Sequence, residues 1–369
     1  MLTHVKNLTR EELRIAFAAM GEKPFRANQI FEWMYRRGAR NFAEMTSLAK
    51  CLREKTDAFI PLSPESGVIS GKFGASEAPC EIPDETAPLM TLRIKKRLIS
   101  ARDGTRKYLC ETADGNLIES VCMKYRFGSS VCVSSQAGCR MGCAFCASGL
   151  NGLARDLTPG EMSDQLLLAR EDTSEDIRHV VVMGTGEPLD NYENVLKFLE
   201  NITDPVGLGL GRRQLTVSTC GPVTGMERFL RDMPQANLAI SLHAPNDAIR
   251  TRIMPIAKTD SVEDIISFAR RYTRESGRKI TFEYVLIDEL NDDPDCADEL
   301  SNRLRDINCL VNIIPLNHVP ETGLVPSSDE TVRAFRDRLE SNGVGTTVRR
   351  KLGADIDAAC GQLRRSGAD

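Results

Sequence analysis

The chain has 369 residues, of which 41% are hydrophobic and 27% charged, and its net charge is −4. That is enough chain for two or three domains with a full core, and the balance argues against a surface coated with cations for nucleic acid. The opening run Met-Leu-Thr-His-Val-Lys has no apolar targeting core and no stretch approaches membrane-spanning length, so a cytoplasmic protein is expected.

In chain order, Thr9 with Glu12 makes a capping box ahead of Leu13, Ile15, Ala16 and Ala19, and Gly21 stops that helix. A second helix is expected from about Arg26, anchored by Ile30, Phe31, Trp33 and Met34, to Gly38. A third carries Met45, Leu48 and Leu52. Residues 1–60 therefore read as a small helical domain. From about Ser63 to Pro88 the composition turns to Ser, Gly, Pro, Glu and Asp without periodicity, the pattern of an acidic linker or insertion. Asp103-Gly104 and Asp114-Gly115, each between alternating segments, predict hairpins. Residues 61–124 are thus linker plus a short antiparallel connector leading through Ile118–Val121.

From residue 125 to 363 the pattern alternates strand and helix. Strands are expected at Val131–Ser135, Val180–Met183, Leu215–Ser218, Leu238–Leu242, Ile280–Leu286 and Val311–Ile314. Thr158, Pro159 and Glu161 open one intervening helix, and Ser261 with Asp264 opens another. Six such units without a dinucleotide-type glycine fingerprint predict an α/β fold, a partial (β/α)6 barrel, with a doubly wound sheet as the alternative. Barrel chemistry sits at strand carboxyl ends. There stand Gly184-Thr185-Gly186-Glu187-Pro188, then Ser218-Thr219, Ser241-Leu242-His243 and Asn317. The glycines would let backbone approach a ligand and Glu187 could hold an ammonium group; a plain βα turn with a solvated glutamate accounts for the segment equally well.

Twelve cysteines in a chain read as cytoplasmic point to metal or redox use, and four fall between Cys132 and Cys146. Cys139, Cys143 and Cys146 are spaced C-x3-C-x2-C. Three thiolates are one short of a closed zinc or iron–sulfur site, which leaves one metal position open to a small molecule. The spacing resembles the signature of radical S-adenosylmethionine (SAM) enzymes. Cys132, between Val131 and Val133, reads on its own as a buried strand cysteine, and Cys360, after two alanines, as packing.

Over nearly its whole length the chain resembles the radical SAM adenosine methyltransferases of the RlmN/Cfr type. The matching segments are Ile118–Val121, Cys132–Cys139, the cysteine triplet, Gly184–Pro188, Ser241–His243 and Ala354–Leu363, together with the helical Pro24–Trp33 of an accessory domain. The resemblance implies that Cys139, Cys143 and Cys146 hold one [4Fe-4S] cluster. It implies that Gly186, Glu187, Ser218, Ser241, Leu242, His243 and Asn317 bind SAM, two molecules being used per turnover, one as methyl donor and one as radical source. Cys360 would be the methylated cysteine, Cys132 the resolving thiol, and Glu119 the proton acceptor. The implied reaction is methylation at carbon 2 of an adenosine in 23S ribosomal RNA, and of adenosine 37 in some transfer RNAs. A low-potential donor such as flavodoxin or ferredoxin would supply electrons to a monomer without membrane contact. Arg349, Arg350 and Lys351 would create a positive setting for Cys360 and meet phosphate. Thr185 departs from the methionine usual there, and the acidic insertion is longer than the pattern.

Two other readings stay open from the sequence. One is methylation at carbon 8 of the same base, as in the Cfr branch. The other is a non-catalytic RNA-binding protein stabilised by zinc on the cysteine cluster.

Overall fold

The computed structural model describes residues 4–57, 87–317 and 319–363. The acidic segment expected from about residue 63 lies outside them except at its last two positions. Thr9 and Glu12 form the reciprocal cap that opens α1 (Arg10–Ala19). Leu13, Ala16 and Phe17 face inward, but Ile15 is 63% exposed. Two residues on from Leu13 it lies on the opposite side of a 3.6-residue helix, so it is not the anchor expected of it. α2 (Phe25–Glu32) passes into a π-turn over Trp33–Arg37 and ends at Gly38. The third helix, α3 (Lys50–Asp57), starts later than expected. Asn41 caps a separate turn at Phe42–Glu44, and Met45 and Leu48 are buried in the connection.

β1 (Leu92–Ile99), β2 (Arg106–Thr112), β3 (Leu117–Tyr125) and β4 (Gly128–Cys132) form an antiparallel meander. The Asp-Gly pairs fall in the loops 100–105 and 113–116, longer than a two-residue turn, while Arg126 and Phe127 alone connect β3 to β4. The meander is not a separate connector sheet. β4 pairs in parallel with a later strand, so one ten-stranded sheet contains both.

After β4 come a small ladder, β5 (Gln136–Gly138) with β6 (Leu153–Asp156), and then α4 (Pro159–Thr173). The chain continues through β7 (Ile177–Val182), α5 (Tyr192–Thr203), β8 (Leu215–Thr219), α6 (Val223–Asp232) and β9 (Asn237–Ser241). It ends with α7 (Asp247–Ile253), α8 (Val262–Ser276), β10 (Ile280–Leu286), α9 (Pro294–Leu304), β11 (Cys309–Pro315), α10 (Asp329–Ser341) and β12 (Thr346–Val348). The sheet order is β1-β2-β3-β4-β7-β8-β9-β10-β11-β12. Each parallel strand sits beside its predecessor in the chain. A doubly wound sheet needs a reversal of that order, so the alternative fails and an open barrel stands.

The first parallel strand ends at Cys132 and not at Ser135: Val133 N–H still donates to the Val181 carbonyl, and beyond it the pairing with the segment after β7 becomes irregular. Gly184 N–H donates to the Val133 carbonyl, and the Ser135 and Gln136 amides donate to the Thr185 carbonyl. β12 was not foreseen from its three polar or half-exposed residues.

The main core fills the space between sheet and helices, with Val131, Val180, Val217, Ile240, Phe282 and Val311 on the strands. A second core around α1 and α2 takes in Leu167 of α4. α4 is therefore buried on almost every side over Pro159–Ala169. At that joint Lys6 Nζ meets Asp164 Oδ1 at 2.5 Å with both side chains fully buried, and Thr91 donates twice to Asp164 Oδ2. No helix among the described residues is long and apolar enough to cross a membrane.

Candidate active site

The carboxyl ends of β7 to β11 open onto a cavity. One wall is the loop after β5, which brings Cys139, Cys143 and Cys146 to the cavity together with Phe145. The facing rim carries Gly186, Glu187, Ser218, Ser241, His243 and Asn317. The structure thus gathers at the cavity every residue expected to bind SAM except Leu242, while Thr185 and Pro188 of the β7 loop do not line it. The Leu242 side chain is fully buried in the main core, as strand alternation requires of the neighbour of an inward-facing serine, which leaves only the Leu242 backbone for a ligand.

The glycines of the loop after β7 serve the chain's own packing. A Cβ on Gly186, at φ 108°, would lie 2.6 Å from the Gln136 side chain, and one on Gly184 would lie 2.5 Å from Ser134 Oγ. The loop is pressed against the segment after β4, which sets the position of Glu187. The Glu187 carboxylate is fully enclosed and accepts from Thr219 Oγ1 at 2.7 Å, Cys220 N–H at 2.7 Å and Leu189 N–H at 3.0 Å. Burial raises its pKa and those three donors oppose the rise. Glu187 therefore braces the β7 loop to the β8 loop, with only its remaining lone pairs turned to the cavity.

His243 sits at φ 58°, in left-handed backbone, where its ring packs edge-on against Phe145 at 4.8 Å. Its Nδ1 accepts from the Val285 amide at 2.9 Å. Burial lowers its pKa to about 3, so the ring is neutral and its proton lies on Nε2, a donor left for a ligand. Behind it Arg250 is fully buried and bonds only to carbonyls, those of Leu242, Asp260, Cys220 and Ser241. It ties the ends of β8 and β9 together and keeps a positive charge near Cys143.

A second, smaller cavity adjoins the first. Cys360, Asn317 and Arg349 line both. Cys132 lines the second, with Val121, Met123 and Tyr125 of β3 and with Arg350 and Lys351. Cys360 is not in a helix. It lies on a turn tied down by three bonds: Asn317 Nδ2 to the Cys360 carbonyl at 2.9 Å, Ala147 N–H to the Gly361 carbonyl at 2.8 Å, and Ser148 Oγ to the Leu363 carbonyl at 2.9 Å. The last two anchor it to the cysteine loop itself.

Burial and the nearby Cys360 sulfur push the Cys132 thiol up to about 12. Burial also raises Cys360, but the Arg349 guanidinium pulls against it. Arg349 is held in turn by Glu283 Oε2 at 3.7 Å, and Asn312 donates to the same oxygen at 2.8 Å. The two sulfurs thus differ in setting, and the one nearer the cation is the better nucleophile. Glu119 lines neither cavity. Its buried carboxylate meets Lys107 Nζ at 2.7 Å on the β3 face that continues through Val121 and Met123 into the second cavity. Lys107 also donates to the Asp357 carbonyl at 3.0 Å, which joins Glu119 to the Cys360 turn.

The three cluster thiols fit a polynuclear centre. Among the described residues no three His, Cys, Asp or Glu side chains converge on a single-ion site. The thiols instead share one wall, as a cluster that takes one thiolate per iron requires. Burial pushes Cys139 up to about 12 and raises Cys143 as well, so only a bound metal charge would keep them as thiolates. The cavity fits a molecule that is part nucleoside and part amino acid. It has apolar walls at Met254, Val285 and Leu316, and the Ser218 and Ser241 hydroxyls have no protein partner among the described residues.

Sequence reasoning missed Arg250 and Glu283. Arg250 stands nine residues beyond Ser241 on a helix that reads as solvated, and Glu283 lies within an otherwise apolar strand, where a lone carboxylate could have been noticed.

Residues 3–60 match the model of the ribosomal RNA large subunit methyltransferase N-terminal domain, and residues 133–299 match that of the radical SAM superfamily. A probable dual-specificity RNA methyltransferase RlmN of Lachnospira eligens is 44% identical over 363 residues, covering 98% of this chain and 96% of its own. The protein of the same name in Pelotomaculum thermopropionicum is 45% identical over 364 residues, covering 98% and 91%. Among solved structures, a radical SAM methyltransferase from Sphaerobacter thermophilus superposes with a TM-score of 0.87 at 38% identity, covering 99% of this chain and 100% of that one.

Proposed function

The chain belongs to the RlmN family of radical SAM RNA methyltransferases, and from that premise we propose that it methylates carbon 2 of an adenosine in 23S ribosomal RNA, and adenosine 37 of some transfer RNAs, through a methyl group first carried on Cys360. The observation that carries this reading is the position of Cys360 where two cavities meet, with the cysteine loop on one side and Cys132 beside three cationic side chains on the other.

When bound, the [4Fe-4S] cluster and SAM supply the methyl group and the one-electron chemistry that an electron-poor ring carbon demands. Cys139, Cys143 and Cys146 would hold the cluster. Ser218, Ser241, the His243 Nε2–H and the backbone around Gly186 and Glu187 would orient SAM, while Asn317 holds the Cys360 turn at the cavity edge. Leu242 sets the spacing of that rim from the core. Arg349 favours the Cys360 thiolate, the form that can accept a methyl group. Cys132 would then displace the product by forming a bond to the Cys360 sulfur, leaving a disulfide that reductant reopens. A proton must leave the base in the same sequence, and Glu119 would accept it on the β3 face. The partners are RNA and a low-potential electron donor of the flavodoxin or ferredoxin kind, acting on a monomer.

Mass spectrometry of nucleosides from ribosomal and transfer RNA, incubated with reduced enzyme and SAM, tests the reading. It should yield 2-methyladenosine. Finding 8-methyladenosine would transfer the chain to the other reaction, and no methylated product would remove the reading.

A further inference from the structure

The turn between β3 and β4 is two residues long, so Arg126 and Phe127 stand at the tip of a rigid hairpin. Phe127 is 60% exposed, unusual for a phenylalanine at a tight turn. Its ring is stacked on Tyr125, with centroids 4.9 Å apart and planes 7° from parallel. His179 meets it edge-on at 5.0 Å. Tyrosine therefore covers one face of Phe127 and histidine meets the ring steeply, yet more than half of the residue stays open to solvent.

That stack leads directly to the reactive sulfurs. Tyr125 lines the second cavity with Cys132 and Cys360. Arg350 and Lys351 line that cavity, Arg126 adjoins Phe127 at the hairpin tip, and all three are exposed without a carboxylate partner among the described residues. An exposed aromatic ring, stacked on the wall of a cavity that carries free cations, has the wrong character for a protein core and the right one for a nucleobase with its phosphates.

We infer that the β3–β4 hairpin tip is a stacking platform on which the exposed ring of Phe127 takes an unpaired RNA base adjoining the adenosine presented to Cys360. The inference rests on RNA being the substrate and extends that reading to a site. A base brought to buried sulfur must leave its own stack, and its neighbour then loses a stacking partner as well. Phe127 over Tyr125 replaces that partner, while Arg126, Arg350 and Lys351 meet the flanking phosphates. Every base has a π-face, so the platform reads the presence of an unpaired neighbour and not its identity.

The test is a binding cycle with an RNA stem-loop carrying one loop adenosine, 2-aminopurine at either neighbouring position, and abasic versions of those neighbours. Wild-type enzyme should quench one 2-aminopurine on binding. Phe127→Ala should abolish that quenching and weaken affinity about tenfold, Phe127→Trp should retain both, and Phe127→Ala should bind the matching abasic RNA as well as wild type does. Unchanged quenching in Phe127→Ala, or an equal loss on abasic RNA, would overturn the inference. The cycle needs no turnover, so a wild-type chain that binds in this way yet produces no methyladenosine would remove the reaction and leave the platform standing.

Discussion

Two fully buried cations, Lys6 and Arg250, are answered in opposite ways. Lys6 sits at the joint between the helical N-terminal part and α4, and Asp164 neutralises it at 2.5 Å. Arg250 sits behind the strand-end rim and bonds only to backbone carbonyls, with no ion pair to a carboxylate among the described residues. A buried charge without a counter-charge is costly in a closed protein. At the joint the chain has only itself to hold, and it completes the pair. At the rim the positive charge lies near Cys220 and Cys143, with Asp247 and Asp260 acting on it only from beyond ion-pair distance, and no carboxylate closes it into a pair among the described residues.

The same contrast separates residues that can be lost with the fold intact from those that cannot, and the largest expected effect lies on the open side. Cys360→Ala should leave folding unchanged and abolish 2-methyladenosine, read by nucleoside mass spectrometry. Turnover by that variant would reject a cysteine-carried methyl group. Cys132→Ala should stop the reaction one step later, with RNA trapped on Cys360 as a band shifted in denaturing gels.

On the closed side the effect is on stability. Asp164→Ala leaves Lys6 buried and unpaired, and about 3–5 kcal/mol of unfolding free energy should be lost, read by denaturant titration. Replacing both partners by apolar residues of similar volume should restore much of it. A loss under about 1 kcal/mol would mean that water reaches the joint and the contrast with Arg250 is false.

A smaller, pH-dependent effect comes from the histidine at the same joint. His4 Nε2–H donates to the Pro88 carbonyl and Nδ1 accepts from the Lys6 amide, and burial lowers its pKa from 6.5 to about 4. Both folded and unfolded chains hold it neutral above pH 6.5. Below that value the unfolded chain takes up a proton that the folded chain refuses, so stability declines until about pH 4, by about 3 kcal/mol in all. His4→Asn should flatten that slope in thermal melts run across this range. His243, lowered to about 3, adds a similar decline that His4→Asn leaves in place.

Much of this was legible in residue order. The three reciprocal caps at Thr9, Thr158 and Ser261 formed as the side-chain spacing requires, because a cap is decided within four residues. The strand ends were legible for the same local reason. The second cavity was not. It joins β3, the end of β4 and a turn more than two hundred residues later, and no local pattern records that closure. The glycines were legible only in part: their backbone does line the cavity, but the space a Cβ would take is filled by Ser134 and Gln136, a packing demand that no local spacing records. Only the resemblance singled out Cys132 and Cys360 together, because a buried cysteine beside valines looks the same whether or not it reacts.

The smallest predicted effect tests whether Arg349 belongs to the open side with Arg250. Its guanidinium lies 3.7 Å from Glu283 yet lines both cavities beside Cys360, so it could serve as half of a closed pair or as the group that favours the thiolate. The two roles differ in sign. Burial has raised the Cys360 pKa and Arg349 opposes the rise, so Arg349→Met should raise it further. Below that pKa the thiolate fraction falls tenfold for each unit of rise, and alkylation of Cys360 by iodoacetamide near neutral pH should slow about tenfold. Its pH profile should move to higher pH, with Arg349→Lys intermediate. If Arg349 instead serves Glu283, the substitution would lower the melting temperature and leave the alkylation profile where it was. A profile that moves without loss of folding would identify Arg349 as the residue through which the barrel sets the reactivity of the Cys360 turn.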